Sequence, residues 1–316
     1  MNDTSSTLRR LLDQGLARHP EYGGGLANHL PMALHALQAL GASSDRLRAF
    51  AAGHVRRLQR RSEVPDDGFE ARHAAFDAAI SRDGRDSMLR GALVELMPGV
   101  AAAAFHGLIR VAHAVQAEHD GELAMGLAYW AHQHEAMGSS PSGAADLPHA
   151  EWLAALQALR PTGAIDGRMI VRRMRRWSVE PGFAELAPRL RIDDATWQDL
   201  AAGAVALYAA SGNFTVLHMV TASHALQVLM PWIDDRAAAL RHFSVAAAAA
   251  LKATDACPGT TPTARPWSEV VRHAIASDDE HVIKLVHAAR ELEQALRGDV
   301  CRRAATRAVN VAEVAA

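Results

Sequence analysis

Four histidines and one lysine stand in apolar segments of the chain, where side chains able to bind a metal ion are unusual. A single histidine on an apolar helix face more often forms a hydrogen bond inside a core than it binds a metal. Four such positions together favour a shared site, and imidazole nitrogens suit iron, zinc, copper and nickel. The candidates are His29 in ANHLPMAL, His106 in AAAAFHGLIRVA, His218 in NFTVLHMVTASHAL, and His281 with Lys284 in DDEHVIKLV.

Lys284 is one of only two lysines among 33 basic residues. Its spacing of three from His281 places both side chains near one face of a helix. A lysine can lose its proton or react with carbon dioxide to give a carbamate, an anionic oxygen ligand that arginine cannot provide at cellular pH. Sequence physics by itself favours the other interpretation, a lysine whose stem packs on the core while its ammonium reaches water or Glu280.

Several further histidines lie close to these candidates along the chain. His113 follows His106 by seven residues and falls on nearly the same helix face. We interpret such residues as groups surrounding the candidate site or as ordinary core residues: His35, His113, His224 and His287. His132 and His134 are two residues apart and point in different directions on a helix, so they are left out of the candidate site.

The elements that must position these residues are helices. Alanine and leucine dominate, and apolar residues recur three and four apart, which predicts an all-α, multi-helix bundle. The expected helices cover about 6–18, 28–40, 44–60, 69–80, 87–97, 99–118, 122–136, 151–159, 194–210, 214–230, 234–252, 267–275 and 277–297. The stretch 161–188 is expected to be irregular. A solvated helix face is the favoured interpretation of its arginines over an anion clamp, and no function is assigned to Arg172, Arg173, Arg175 and Arg176.

The composition fits one globular unit of residues 1–316, with a possible division into two halves near 137–148. A formal net charge of -2 gives no general electrostatic reason to bind nucleic acid or an anionic membrane. No secretory signal or membrane-spanning stretch is recognised, so a cytoplasmic location is expected. The two cysteines, Cys257 and Cys301, lack metal-knuckle spacing, and any metal would therefore depend on nitrogen and oxygen ligands.

Several common enzyme signatures are absent from the sequence. There is no GxGxxG, no GxxxxGK[ST], no GxSxG and no HExxH. A di-iron carboxylate bundle needs two ExxH pairs, and the chain has one, formed by Glu70 and His73. The sequence therefore does not predict a classical di-iron bundle.

Four blocks of the sequence carry a resemblance to a known family: NHLPMALHALQALGAS, AAFHGLIRVAHA, LHMVTASHAL and DDEHVIKLVHAARE. In this order, over about residues 28 to 290, the chain resembles the questin oxidase-like family, which includes fungal polyketide-tailoring oxidases. The resemblance implies an oxygen-dependent oxidoreductase that opens or oxygenates aromatic polyketide rings, with a mononuclear non-heme iron held by four histidines and a carboxylated lysine. Carried over block by block, these ligands are His29, His106, His218, His281 and Lys284. Fungal members tend to have histidines where this chain has Met32, Ala33 and Arg110, positions that are expected to shape the substrate pocket, so the resemblance does not extend to the identity of the substrate.

These observations predict Fe(II) in a buried central pocket, dioxygen as co-substrate and a small hydrophobic aromatic substrate. Four residues are candidates to line the pocket, although an ordinary place in the core is the favoured interpretation of each: Trp130, Trp232, Met32 and Phe105. Three alternatives stay open: a non-catalytic helical ligand-binding scaffold, a zinc hydrolase, and an NADPH-dependent Baeyer–Villiger-type oxidase without tightly bound iron. No dinucleotide-binding motif supports the use of NADPH.

Overall fold

The computed structural model describes residues 3–138 and 145–315. Within these ranges the protein is all-α, as predicted, with one short antiparallel ribbon of strands β1 (Glu21–Tyr22) and β2 (Leu26–Ala27). The first eight helices are α1 (Asp3–Gly15), α2 (Leu30–Leu40), α3 (Ser44–Val55), α4 (Phe69–Asp83), α5 (Arg85–Leu96), α6 (His106–Gln116), α7 (Asp120–His132) and α8 (His149–Ala158). The others are α9 (Ile170–Ser178), α10 (Pro181–Leu186), α11 (Thr196–Ser211), α12 (Phe214–Leu229), α13 (Arg236–Ala253), α14 (Trp267–Ala276), α15 (Glu280–Leu292) and α16 (Val300–Ala315).

Four helices, α2, α6, α12 and α15, form the centre of the molecule. Helix α2 packs against α6 and α15, and α12 packs against the same two helices, which closes a ring. Nearly every residue of α2, α6, α12 and α15 is buried. A helix that is apolar around most of its circumference must be covered on all sides. The remaining helices provide that cover, with α11 and α16 on one flank and α7 with α4 on another.

Helix α12 begins and ends almost where the sequence predicts. The Oδ1 atom of Asn213 accepts hydrogen bonds from the amides of Thr215 and Val216, at 2.9 and 3.2 Å. These bonds satisfy two amides that lack partners within the helix, which is why asparagine is favoured before a helix. The cap fixes the position of the first turns, and therefore of His218.

The single helix expected over 99–118 is wrong, because the chain is not α-helical before His106. Residues Ala103, Ala104 and Phe105 have φ values of 47°, 57° and 71°. A left-handed backbone costs roughly 1–2 kcal/mol per residue with a side chain, so local preference does not predict it. The turn brings the carbonyl of Ala103 to 2.5 Å from the Nδ1 atom of His106. At the start of α6, tertiary structure therefore determines the backbone conformation, against the helix propensity of the local sequence.

The expectation of an irregular segment over 161–188 is wrong in part, because α9 and α10 lie within it. In α9, Ile170, Met174 and Trp177 are buried along one face, and the arginines occupy the rest of the helix surface. Helix α16 was not predicted at all, yet it packs against α11 and α15. Short or arginine-rich helices depend on such packing for their stability.

One hydrophobic core includes residues from both sides of 137–148. The single domain with a possible division there stays a prediction, and residues 139–144 lie outside the described ranges. In those ranges, no helix has both the length and the hydropathy needed to cross a membrane.

Candidate metal centre

The four candidate histidines lie together at one end of the central helices. We call them the first quartet: His29, His106, His218 and His281. His29 directly precedes α2, and the other three lie in the first two turns of α6, α12 and α15. Their ring centroids are separated by 4.8 Å (His29 to His106), 4.7 Å (His29 to His281), 4.9 Å (His106 to His218) and 5.8 Å (His218 to His281).

Three of these rings are held by an oxygen atom beside Nδ1. His106 Nδ1 is 2.5 Å from the carbonyl of Ala103, and His218 Nδ1 is 2.8 Å from the carbonyl of Phe214. A carbonyl oxygen only accepts, so Nδ1 carries the proton in both rings and Nε2 carries a lone pair. His281 Nδ1 lies 3.2 Å from a carboxylate oxygen of Asp279, and its buried Nε2 has no hydrogen-bond partner among the described residues.

His29 completes the arrangement through its contact with His106, because their Nε2 atoms are 2.7 Å apart. Since Nε2 of His106 has the lone pair, Nε2 of His29 must donate the proton in this contact. The Nδ1 atom of His29 is buried, lacks a hydrogen bond to any described residue, and lies 3.5 Å from Oε1 of Glu280. A metal ion bound to both Nε2 atoms would shift the proton of His29 to Nδ1, next to this carboxylate.

Glu280 is a residue of the site that the sequence did not single out as such. It is buried, and its Oε2 atom is 2.9 Å from Nε2 of His54 and 3.6 Å from the guanidinium of Arg57. Burial alone raises the pKa of Glu280, but its interactions with His29 and His54 lower this pKa far below the usual range. One ligand atom each from His29, Glu280 and His281 lie within 4.8 Å of one another. Glu280 therefore brings a permanent negative charge to the first quartet.

Lys284 is 1% exposed, so its ammonium does not reach water as the alternative interpretation supposed. Within the described part of the chain, its Nζ atom forms no hydrogen bond and no ion pair. Burial lowers the pKa of Lys284 to about 8, although the charges of Glu280 and Asp279 oppose this shift. Its charge is close enough to lower the pKa of His29 and of His106, both of which burial has already lowered. Lys284 is thus a buried amine beside the first quartet.

A cavity of about 660 Å³ borders this end of the bundle. Its wall includes all four rings of the first quartet, together with Glu280 and Phe214. The favoured interpretation of the four candidate lining residues as core residues is confirmed for Trp130, Met32 and Phe105, which are buried, whereas Trp232 is half-buried. None of the four contributes to the cavity wall. Trp130 donates from its indole to the carbonyl of Gly99, deep in the core.

Arginines form part of the same cavity wall, namely Arg168, Arg172, Arg173 and Arg175. Arg173 is half-buried and donates to the hydroxyl of Thr215 at 3.2 Å, and its Nε atom is buried without a partner among the described residues. Arg175 pairs with Glu135. The interpretation as a solvated helix face holds for Arg172, Arg175 and Arg176, which are exposed, and fails for the half-buried Arg173. It did not anticipate that Arg172, Arg173 and Arg175 line the cavity. Sequence could not show that α9 packs beside this cavity.

The remaining histidines also have identifiable surroundings. His132 lies 3.0 Å from Asp67, away from the first quartet, as expected of a residue left out of the site. Both residues of the single ExxH pair interact with Arg61, which binds Glu70 and contacts His73. His35, His113, His224 and His287 are buried and lie next to one another on α2, α6, α12 and α15.

One comparison with known proteins, the match to a family model, agrees with the resemblance found in the sequence. No curated protein matches the chain. The model of the family described as Questin oxidase-like matches residues 26–289 of the 316, a span that contains the whole first quartet and Lys284. The family name implies an oxidoreductase. The chain therefore belongs to the Questin oxidase-like family.

Proposed function

We propose that this protein is an oxygen-dependent oxidoreductase that binds one Fe(II) ion at the first quartet and oxidises or cleaves the ring of an aromatic polyketide-like quinone. The observation that carries the proposal is the orientation of the four rings. Each Nδ1 atom lies beside an oxygen, while the Nε2 atoms of His29 and His106 meet and that of His281 lacks a partner among the described residues. Oxygen acceptors behind histidine ligands are the usual means of fixing their orientation.

The donor set fits a ferrous ion. Burial lowers the pKa values of His29, His106 and His218, so these rings are neutral at cellular pH and free to bind a metal. We propose Lys284, carboxylated by carbon dioxide, as the anionic oxygen ligand. Only an unprotonated amine can form a carbamate, and a pKa of about 8 increases the unprotonated fraction relative to an ordinary lysine. Bound Fe(II) would supply the one-electron chemistry that allows dioxygen to react with an aromatic ring.

The cavity provides the substrate side of the proposal. Phe214 is 53% exposed, and its ring centroid lies 4.8 Å from that of His218 and 4.7 Å from that of His281. An aromatic substrate could stack on this ring next to the ion. The partly buried Arg173 is available to donate to a quinone or phenolate oxygen. A hydrophobic substrate bound between Phe214 and Arg173 would also exclude water from the ion.

The first test is the metal content of untagged protein after anaerobic reconstitution with Fe(II), together with its oxygen consumption in the presence of an anthraquinone. We expect His218→Ala to lose one equivalent of iron and the oxygen consumption. A protein that takes up no iron while folded would contradict the proposal and favour a non-catalytic scaffold. Stoichiometric zinc with hydrolysis of an ester substrate would instead favour the hydrolase.

The chain offers a matched control for Lys284. Lys252, the other lysine, donates to the carbonyl of Leu159 and lies 4.7 Å from the ring of Trp177, outside the candidate site. We expect Lys284→Met to lose oxygen consumption and the carbamate signal that ¹³C-labelled bicarbonate produces in the carbon NMR spectrum. Lys252→Met should retain both. A carbamate signal that persists in Lys284→Met would show that Lys284 is not the modified residue.

A further inference from the structure

Four more histidines form a second cluster deeper in the same helix bundle. We call them the second quartet: His35, His113, His224 and His287. One comes from each of α2, α6, α12 and α15, and each is no more than 5% exposed. They follow the members of the first quartet by six or seven residues, which is about two helical turns, or roughly 9–10 Å along each helix. The repeated spacing gives the bundle two successive layers of four histidines.

Four of the separations between these rings match the spacing expected around a tetrahedral metal ion. With metal–nitrogen bonds of about 2.0–2.1 Å, four imidazoles in a tetrahedral site have their ring centroids about 5.2 Å apart. In the second quartet the centroids are 5.1 Å (His35 to His113), 5.3 Å (His35 to His287), 5.4 Å (His113 to His287), 5.2 Å (His224 to His287) and 6.5 Å (His113 to His224). Four of these five separations lie between 5.1 and 5.4 Å, close to the tetrahedral value.

The hydrogen bonding of the second quartet is incomplete. His35 and His113 are joined by their Nδ1 atoms at 2.8 Å. Nε2 of His224 and Nδ1 of His287 are buried and find no partner anywhere in the described ranges. An unsatisfied buried polar atom destabilises a fold, and two of them on neighbouring rings call for a partner that hydrogen bonding does not provide. A metal ion would satisfy both by accepting their lone pairs.

We propose that the second quartet is a separate metal site that binds a divalent transition-metal ion such as Zn²⁺ through four imidazole nitrogens. In the described structure the ring nitrogens of the second quartet are not gathered at one point, so binding requires a change of ring orientation by rotation about the Cβ–Cγ bonds of His224 and His287. His287 also lines a surface groove of about 440 Å³ beside Ala39 and Trp267, which offers a path for the ion. Four protein ligands leave no open position, so the bound ion stabilises the bundle and does not take part in catalysis.

The test is a titration of the metal-free full-length protein with Zn²⁺ against a chelator of known affinity. We expect two equivalents for the wild type, one for His218→Ala, one for His224→Leu, and none when both changes are combined. His119→Gln is the control for removing a buried histidine, because His119 bonds Asp13 and caps α7 away from both quartets. It should retain two equivalents.

The outcome that contradicts the second site differs from the outcome that contradicts the proposed iron site. A wild type that binds one equivalent, lost in His218→Ala and retained in His224→Leu, overturns the second site and leaves the proposed iron site intact. The reverse pattern supports the second site and contradicts the first. If His224→Leu does not fold, His287→Leu replaces it. The Co²⁺ derivative of His218→Ala provides an independent measurement, since a four-nitrogen tetrahedral site absorbs strongly in the visible region, and a colourless derivative would overturn the proposal.

Discussion

The two quartets of histidines differ in their surroundings, although the same four helices supply both. Every Nδ1 atom of the first quartet lies beside an oxygen atom, and the quartet borders a cavity of about 660 Å³. In the described structure, no oxygen atom hydrogen-bonds to a ring of the second quartet, whose only such bond joins His35 and His113. Glu280 and Lys284 add charge to the first quartet. Access and charge, more than the number of histidines, therefore distinguish the first quartet from the second.

The largest expected difference between the quartets is in catalysis. His218→Ala should reduce oxygen consumption to the level measured without protein, because it removes a proposed iron ligand. His224→Leu, two turns further along α12, should retain most of the activity in iron-loaded protein, since it leaves the first quartet unchanged. Steady-state oxygen consumption measures both. Equal losses in two folded variants would mean that the quartets act as one unit.

The free energy of unfolding at acidic pH tests how far burial lowers the pKa values of the histidines in the second quartet. Burial lowers the pKa values of His35 to about 4 and of His224 to about 3, and those of His113 and His287 also fall well below 6.5. The unfolded chain binds these protons below about pH 6.5 and the folded chain does not. The stability of metal-free protein should therefore be complete above pH 6.5 and fall by about 1.4 kcal/mol per pH unit and per histidine below it.

Urea unfolding between pH 5 and 7 measures this dependence. His35→Leu should reduce the slope of the free energy of unfolding against pH by an amount close to that of one bound proton. His119→Gln provides the comparison with a buried histidine outside both quartets. A slope that His35→Leu leaves unchanged would mean that the second quartet is already protonated in the fold.

Glu280 allows the metal affinities of the two quartets to be tested separately, because its carboxylate lies beside the first quartet alone. Glu280→Gln removes the negative charge beside Nδ1 of His29 and beside His54. Loss of such a supporting carboxylate typically lowers metal affinity by about 10- to 100-fold. Competition with a chelator should show this loss at the first quartet and none at the second. The exposed Glu185 provides the control variant Glu185→Gln, for which no change is expected.

The smallest expected effect concerns the arginines of the cavity wall. Arg173→Gln should raise the KM for a quinone substrate about tenfold, corresponding to about 1.4 kcal/mol for one charge-assisted hydrogen bond, with kcat nearly unchanged. Arg176→Gln, four helix positions from Arg172 and outside the wall, should leave KM unaltered. Equal KM values for the two variants would show that charge near the cavity does not select the substrate.

Much of the fold follows from local patterns in the sequence. The apolar spacing of three and four predicts the helices, and Asn213 and Gly41 mark helix ends that the structure contains. The left-handed run Ala103 to Phe105 could not be predicted, because nothing in an alanine-rich stretch signals a break in the helix. Helix α9 was not predicted, because its many arginines suggested an irregular segment. Its arginines conceal an apolar face that is recognisable only once it is packed.

The sequence by itself determined the all-α class and the family, and it supplied the histidines and the lysine on which the proposed iron site depends. Helix periodicity also placed His281 and Lys284 on one face, since that relation is local. Only the tertiary structure decided that the histidines of four distant helices fall into two layers, and that Glu280 and Arg173 border the first layer's cavity. The reason is that contacts between helices depend on how each one is rotated and shifted against its neighbours. Local sequence patterns do not determine those angles and shifts.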